Sequence, residues 1–344
     1  MAKLNYTTRL ANLQNRRFDK ELNVAAISNA FRSSEFPDNI KYIVESMRPI
    51  DKKYNDRTIE AASRVQTHLE TGFDLHFQRA YRRQGSVMTG TNIKVHSDFD
   101  LLTIVDRYHY TEGTPTNPYK ESDPDQDIKD LRKQAVKILN GVYDEVDDTG
   151  EKSVSIRNKS LNRKVDVVFG FWYNSNTYET DKNEYYRGVH LFKFPNGPRK
   201  TPPDYPFAHI GQVNYKGNET NDGSKRGIRL LKTLRADCET QLDFLKSFQL
   251  TSLVHNISNE LIRFIPGNEL SIAQAISTHM QRLIGEPDYR RTVKSPNGME
   301  LPFFKDEIVP NLKRLKEDLD ELIEDSAKEL FNSATMKRAI SLYQ

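Results

Sequence analysis

The chain has 344 residues, with 51 Lys plus Arg against 48 Asp plus Glu and a formal net charge of +3, which excludes a histone-like binder of massed phosphates and equally an acidic tail protein. Only 36% of residues are hydrophobic, yet 17 Phe and 16 Tyr are too many for a disordered chain, and the length suits two domains or one large one. A single cysteine, Cys238, excludes an internal disulfide and a Cys-rich zinc site, and no apolar run is long enough for a signal peptide or a membrane span. A cytoplasmic protein with no membrane partner is the expectation.

Ile40, Ile43, Val44 and Met47 recur at helical spacing, and a second helix is expected over about 56–79, with Ala61, Val65, His68, Leu69 and Phe73 on one side. The stretch 95–105 reads as a buried strand. A helix over about 124–140 carries Ile128, Leu131, Ala135 and Leu139. The run Asp123–Asp127 begins like a calcium loop, but Ile128 stands where Gly is required, so it reads as a helix start. Short strands are expected at 153–157 and 164–171. Residues 174–224 look loop-rich, with Pro195, Pro198, Pro202, Pro203 and Pro206 close together. Helices follow from Gly227 onward, with Leu231, Leu234, Cys238, Leu242 and Leu245 as an apolar stripe and further helices at about 250–264, 268–284 and 305–340.

Chemistry is concentrated at Gln84-Gly85-Ser86, at Asp98-Phe99-Asp100, and at Val165-Asp166-Val167. Carboxylates at i and i+2 on a strand share a face. Asp166 lies in a second strand between apolar neighbours, where a charge seldom sits unless paired or bound to metal. Three convergent carboxylates suit a hard divalent cation such as Mg²⁺. A glycine lets backbone approach a phosphate, and N–H groups plus a hydroxyl can hold its oxygens. An Asp-x-Asp alone is usually a solvated edge or turn; the upstream Gly-Ser and the strand-embedded Asp166 argue for catalysis. Lys225, Arg229 and Lys232, spaced i, i+4, i+7, are expected to form a basic stripe on their helix.

This set resembles the polymerase-β-type nucleotidyltransferase superfamily. Arg229–Leu234, Lys246–Leu250, and the stretch 206–218 with His209, Asn214 and Asn218 are similar to segments of its cGAS/DncV-like branch, the bacterial CD-NTases of CBASS anti-phage systems. The resemblance spans about residues 60–260. It implies an α+β, bilobal fold: a mixed-sheet catalytic lobe with N-terminal helices over 1–215 and a C-terminal helical lobe over 216–344. It implies that Asp98, Asp100 and Asp166 are catalytic and hold two Mg²⁺ ions, with Mn²⁺ as a substitute. Gln84, Gly85 and Ser86 would bind the donor nucleotide, Lys232 and Ser247 its triphosphate, and Phe248 would stack on its base where a tyrosine is more usual. ATP, GTP, UTP or CTP would be joined into a cyclic di- or trinucleotide with release of pyrophosphate, and the product would activate a separate effector protein; no long nucleic acid is required. Rival readings are a linear oligonucleotide synthase or nucleotide-adding toxin on the same fold, and a non-catalytic nucleotide or RNA sensor. Against these stand the bland ones: Lys232 as a solvated lysine, Ser247 as a helix cap, Phe248 as core. Base choice is expected to lie within 172–224, where Asn174, Asn176 and Thr177 are candidates.

Overall fold

A computed structural model describes residues 4–17, 36–95, 99–113 and 123–342, with side chains to 331. The chain forms two compact units, one of residues 51–90 and 96–211, the other of 1–50, 91–95 and 212–344.

The first unit is built on a seven-stranded sheet. In chain order its strands are β1 (Arg79–Gln84), β2 (Asp100–Thr111), β3 (Val146–Asp147), β4 (Ser153–Asn158), β5 (Arg163–Asn174), β6 (Arg187–Lys193) and β7 (Arg199–Lys200). The order is β1-β2-β5-β4-β3, with β6 pairing the second half of β5, and β2 and β5 are parallel while the other pairs are antiparallel. A parallel pair needs a crossover. Here the connection carries the helix 124–140 and the β3–β4 hairpin. Period-two alternation divides the side chains. Leu101, Val105, Val165, Val167, Phe169 and Phe171 pack beneath the helices 52–72 and 124–140, against Ala61, Val65, Leu69, Ile128 and Leu131. Leu102, Ile104, Val168, Trp172 and Val189 form a smaller cluster on the opposite face. A strand buried on both sides is what the unbroken apolar run of β5 anticipates. Asp123 caps the helix 124–140, its side chain accepting from the Asp125 N–H at 2.9 Å.

The second unit is helical. Its elements include α1 (Tyr6–Arg17), α2 (Asp38–Met47), α3 (Gly223–Asp237), α4 (Ser247–His255), α5 (Glu269–Gly285) and α6 (Val309–Leu342). Leu10, Leu13, Tyr42 and Met47 join Leu230, Leu231, Leu234, Ile276, Met280, Leu315 and Leu319 in one core. Buried pairs tie the ends of the chain together: Arg9 to Asp318 at 2.6 Å, and Arg16 to Asp237, which also accepts from the Tyr42 hydroxyl at 2.8 Å. Of the N-terminal helices expected beside the sheet, α1 and α2 group with the helical unit while the helix 52–72 stays on the sheet, and the division falls at 211/212 where 215/216 was expected.

Two local differences have clear causes. The expected strand start at 95 moves to Asp100, because the Val95 N–H donates to Arg16 O at 3.0 Å and commits 91–95 to the helical unit. The region read as loop contains β6 and a helix over Pro206–Glu219, since β6 buries Val189 and Phe192 and Pro206 occupies a first helical position, where a missing N–H is harmless. Among the described residues no helix is long and apolar enough to cross a membrane.

Gly170 on β5 is required by close approach: a Cβ there would stand 2.5 Å from the His190 carbonyl oxygen, which cannot move without parting β6 from β5. Gly170→Ala is expected to lower unfolding stability by about 1–3 kcal/mol, read by chemical denaturation.

Candidate active site

The sheet register aligns the carboxylates. Residues opposite one another on neighbouring strands present their side chains to the same face. Gln84 of β1 is opposite Asp100 of β2, Asp100 is opposite Asp166 of β5, Asp166 is opposite Ser155 of β4, and Ser155 is opposite Asp147 of β3. This polar row crosses five strands on the face of Leu102, Ile104 and Val168, away from the two covering helices. Both Asp100 and Asp166 are half-buried, and the Asp166 N–H donates to Phe99 O at 3.0 Å. Asp98 lies outside the described residues.

Asp166 has two polar neighbours that sequence reasoning missed. The Ser155 hydroxyl donates to its Oδ1, and the Lys164 Nζ lies 3.3 Å from Oδ1. The only sequence signal was strand alternation, which put Lys164 on the Asp166 face; the partner strand that brings Ser155 was not readable. Beside them is an open hollow of about 510 Å³ lined by Glu145, Asp147, Ser155, Arg157, Asn162 and Lys164.

At the end of β1, Gly85 has φ +119°, a left-handed conformation that favours glycine. The turn it opens is tight: Met88 N–H donates to Gly85 O at 3.1 Å, Thr89 Oγ1 to Ser86 O at 3.1 Å, and Gly90 N–H to Val87 O at 3.2 Å. The Gln84 Oε1 is buried without a hydrogen-bond donor. That orphaned acceptor, next to two aligned carboxylates, fits a divalent cation with its bound water: the donors are hard oxygens, and a water or hydroxyl brought to the row would satisfy the amide.

The helical unit holds the other expected residues. Lys232 on α3 is only 8% exposed, and its Nζ donates to Thr91 O at 3.1 Å and Thr91 Oγ1 at 3.2 Å. Burial, and secondarily the Arg229 charge, push its pKa down to about 8. The expected basic stripe is broken: Arg229 is buried and spends its guanidinium on Met47 O and Asp222, and Lys225 donates to Asn214 Oδ1 at 2.8 Å. Ser247 is the exposed first residue of α4, where side-chain capping is absent, and half-buried Phe248 follows it. Asn174, a base-reading candidate, is buried and engaged, its amide N–H donating to Glu179 and its carbonyl accepting from Arg187.

No family model matches the chain. A c-di-GMP synthase of Lachnospiraceae bacterium (strain RUG226) is 31% identical over 290 residues, covering 75% of this chain and 80% of that protein. The cyclic dinucleotide synthase CdnE of Yersinia aleksiciae is 29% identical over 338 residues, 94% of this chain and 88% of that one. Among solved structures, a STING-associated CdnE c-di-GMP synthase from Capnocytophaga granulosa superposes with a TM-score of 0.79 at 28% identity, covering 94% of this chain and 98% of that chain.

Lys232 has a consequence for stability. An unfolded lysine keeps its proton to about pH 10.5, whereas the buried one releases it near 8. Between those values the unfolded chain binds more protons, so this group makes stability rise with pH across that window. In denaturation series, Lys232→Met is expected to be favoured most over the wild type below pH 8, with the gap narrowing towards pH 10.5.

Proposed function

Since the chain belongs to the cGAS/DncV-like nucleotidyltransferases, the CD-NTase family of cyclic-dinucleotide synthases, we propose that it joins two GTP molecules into cyclic di-GMP with release of two pyrophosphates. The observation that carries the chemistry is the register of Asp100 beside Asp166 on parallel β2 and β5. The guanine assignment rests on relatives named as c-di-GMP synthases. Nucleotidyl transfer in the family is metal-dependent.

Asp98, Asp100 and Asp166 are the proposed ligands of two Mg²⁺ ions. Those ions, when bound, supply charge neutralisation at the reacting phosphate and favour the deprotonated ribose hydroxyl. Asp166 orients that hydroxyl and takes up its proton. The hydroxyl oxygen bonds to the α-phosphorus of the second nucleotide while the bond to the bridging oxygen of pyrophosphate breaks; a second round closes the ring. Gln84, Gly85 and Ser86 hold donor phosphate through a turn whose left-handed glycine lets backbone come close. Lys232 and Ser247 are assigned to the triphosphate and Phe248 to stacking on the donor base, which needs only a ring. The hollow beside Ser155 and Lys164 is the proposed seat of the attacking nucleotide. Positioning and electrostatics provide most of the rate. The product is assigned to activation of a separate effector during phage infection.

Purified protein incubated with labelled NTPs and Mg²⁺ is expected to give a phosphatase-resistant dinucleotide, with GTP omission abolishing it in mass spectra. A ladder of lengths, or labelled RNA or protein, would instead identify a linear polymerase or a nucleotide-adding toxin. Asp98→Ala/Asp100→Ala is expected to reduce the rate by at least roughly 10²–10³, the cost of losing one electrostatic stabiliser; full activity would refute the assignment.

Because a triphosphate would restore the charge on Lys232, nucleotide binding at pH 8 is expected to take up part of a proton. Calorimetry in buffers of different ionisation enthalpy measures this, and Lys232→Met should abolish the uptake.

A further inference from the structure

The two neighbours of Asp166 differ in kind. Ser155 stands on β4, which is paired on both sides by β3 and β5, and its short side chain donates a hydroxyl to Oδ1. Lys164 is on β5 itself, two residues from Asp166, with its side chain 52% exposed and its ammonium 3.3 Å from Oδ1 and 3.4 Å from Oδ2. An exposed ion pair on a flexible stem is worth at most about 1 kcal/mol, so it yields to a divalent cation. A hydroxyl held by a central strand does not have to yield: it occupies one lone pair of Oδ1 and leaves the rest of the carboxylate available.

We propose that Ser155 and Lys164 are positioning residues that act on cation binding through Asp166 in opposite senses. Ser155 fixes the carboxylate in a ligating orientation and remains bonded when the cation arrives. Lys164 neutralises the same carboxylate in the cation-free protein, competes with the cation, and leaves when it binds. This rests on the reading of Asp166 as a cation ligand. An ordinary cross-strand Ser–Asp pair would stabilise the sheet without altering cation affinity.

The test is titration of the full-length protein with Mn²⁺ alone, with free Mn²⁺ read by electron paramagnetic resonance. Ser155→Ala is expected to weaken binding about tenfold, the scale on which groups that orient a metal ligand act. Ser155→Thr, which keeps the hydroxyl, is expected to restore it. Lys164→Met is expected to bind Mn²⁺ more tightly than the wild type. The Mg²⁺ concentration for half-maximal product formation should move in the same directions, while melting temperatures report any loss of folding. Equal Mn²⁺ affinity in Ser155→Ala and wild type, at equal folded fraction, overturns the proposal, as does weaker binding in Lys164→Met. Asp166→Asn separates the layers: unchanged Mn²⁺ binding there removes Asp166 as a ligand, whereas loss of binding there with no response in Ser155→Ala removes only the present inference.

Discussion

Two carboxylates of like charge stand opposite each other on adjacent parallel strands, and everything else in the sheet unit is arranged around holding them there. Neighbouring strands are about 5 Å apart, so two such charges near a protein surface repel by about 3 kcal/mol. What opposes this is the burial that follows each of them along its strand. Leu101, Leu102, Ile104 and Val105 on β2, and Val167, Phe169 and Phe171 on β5, are almost fully buried. Each contributes about 1.5–3 kcal/mol, so the packing outweighs the repulsion several times over. The residual charge is met locally, by the Ser155 hydroxyl and the Lys164 ammonium, and by a row of polar side chains on the face opposite the helices 52–72 and 124–140.

The helical unit solves a different problem: tying distant segments into one core. Arg9 reaches Asp318, Arg16 reaches Asp237, and Arg229 reaches both Met47 O and Asp222. Buried ion pairs add little net stability over apolar packing, but removing one partner leaves an uncompensated charge, so they specify which helices may pack together. This is why helices at the start of the chain belong with those at its end. Lys232 is an exception among these cations, since among the described residues its ammonium donates to the two Thr91 oxygens and not to a carboxylate. A buried ammonium in that setting is destabilised.

Much of this was legible in the residues. The helix over Pro124–Asn140 appeared where apolar periodicity and a run of acids at its start placed it, and β5 where an apolar run flanked Asp166. Other readings failed where specific hydrogen-bond partners decide. Val95 looks like strand but is taken by Arg16 O; Arg229 looks like part of a basic stripe but is held by Asp222; Asn174 looks like a base reader but is engaged by Glu179 and Arg187. Arg16 lies far outside the window in which periodicity operates, while Asp222 and Glu179 are near in sequence but are joined by hydrogen bonds that periodicity does not report.

The sequence by itself determined the chemical inventory: which strands carry acids and where a glycine frees the backbone. Those follow from side-chain chemistry and from periods of two and 3.6, which act over a few residues. Only the tertiary structure decided that Asp100 and Asp166 share a register position, that Ser155 completes the setting of Asp166, and which cations are already spent on structural carboxylates. Strand pairing and burial join residues tens to hundreds of positions apart, and the free energy that selects one pairing over another is a property of the packed whole.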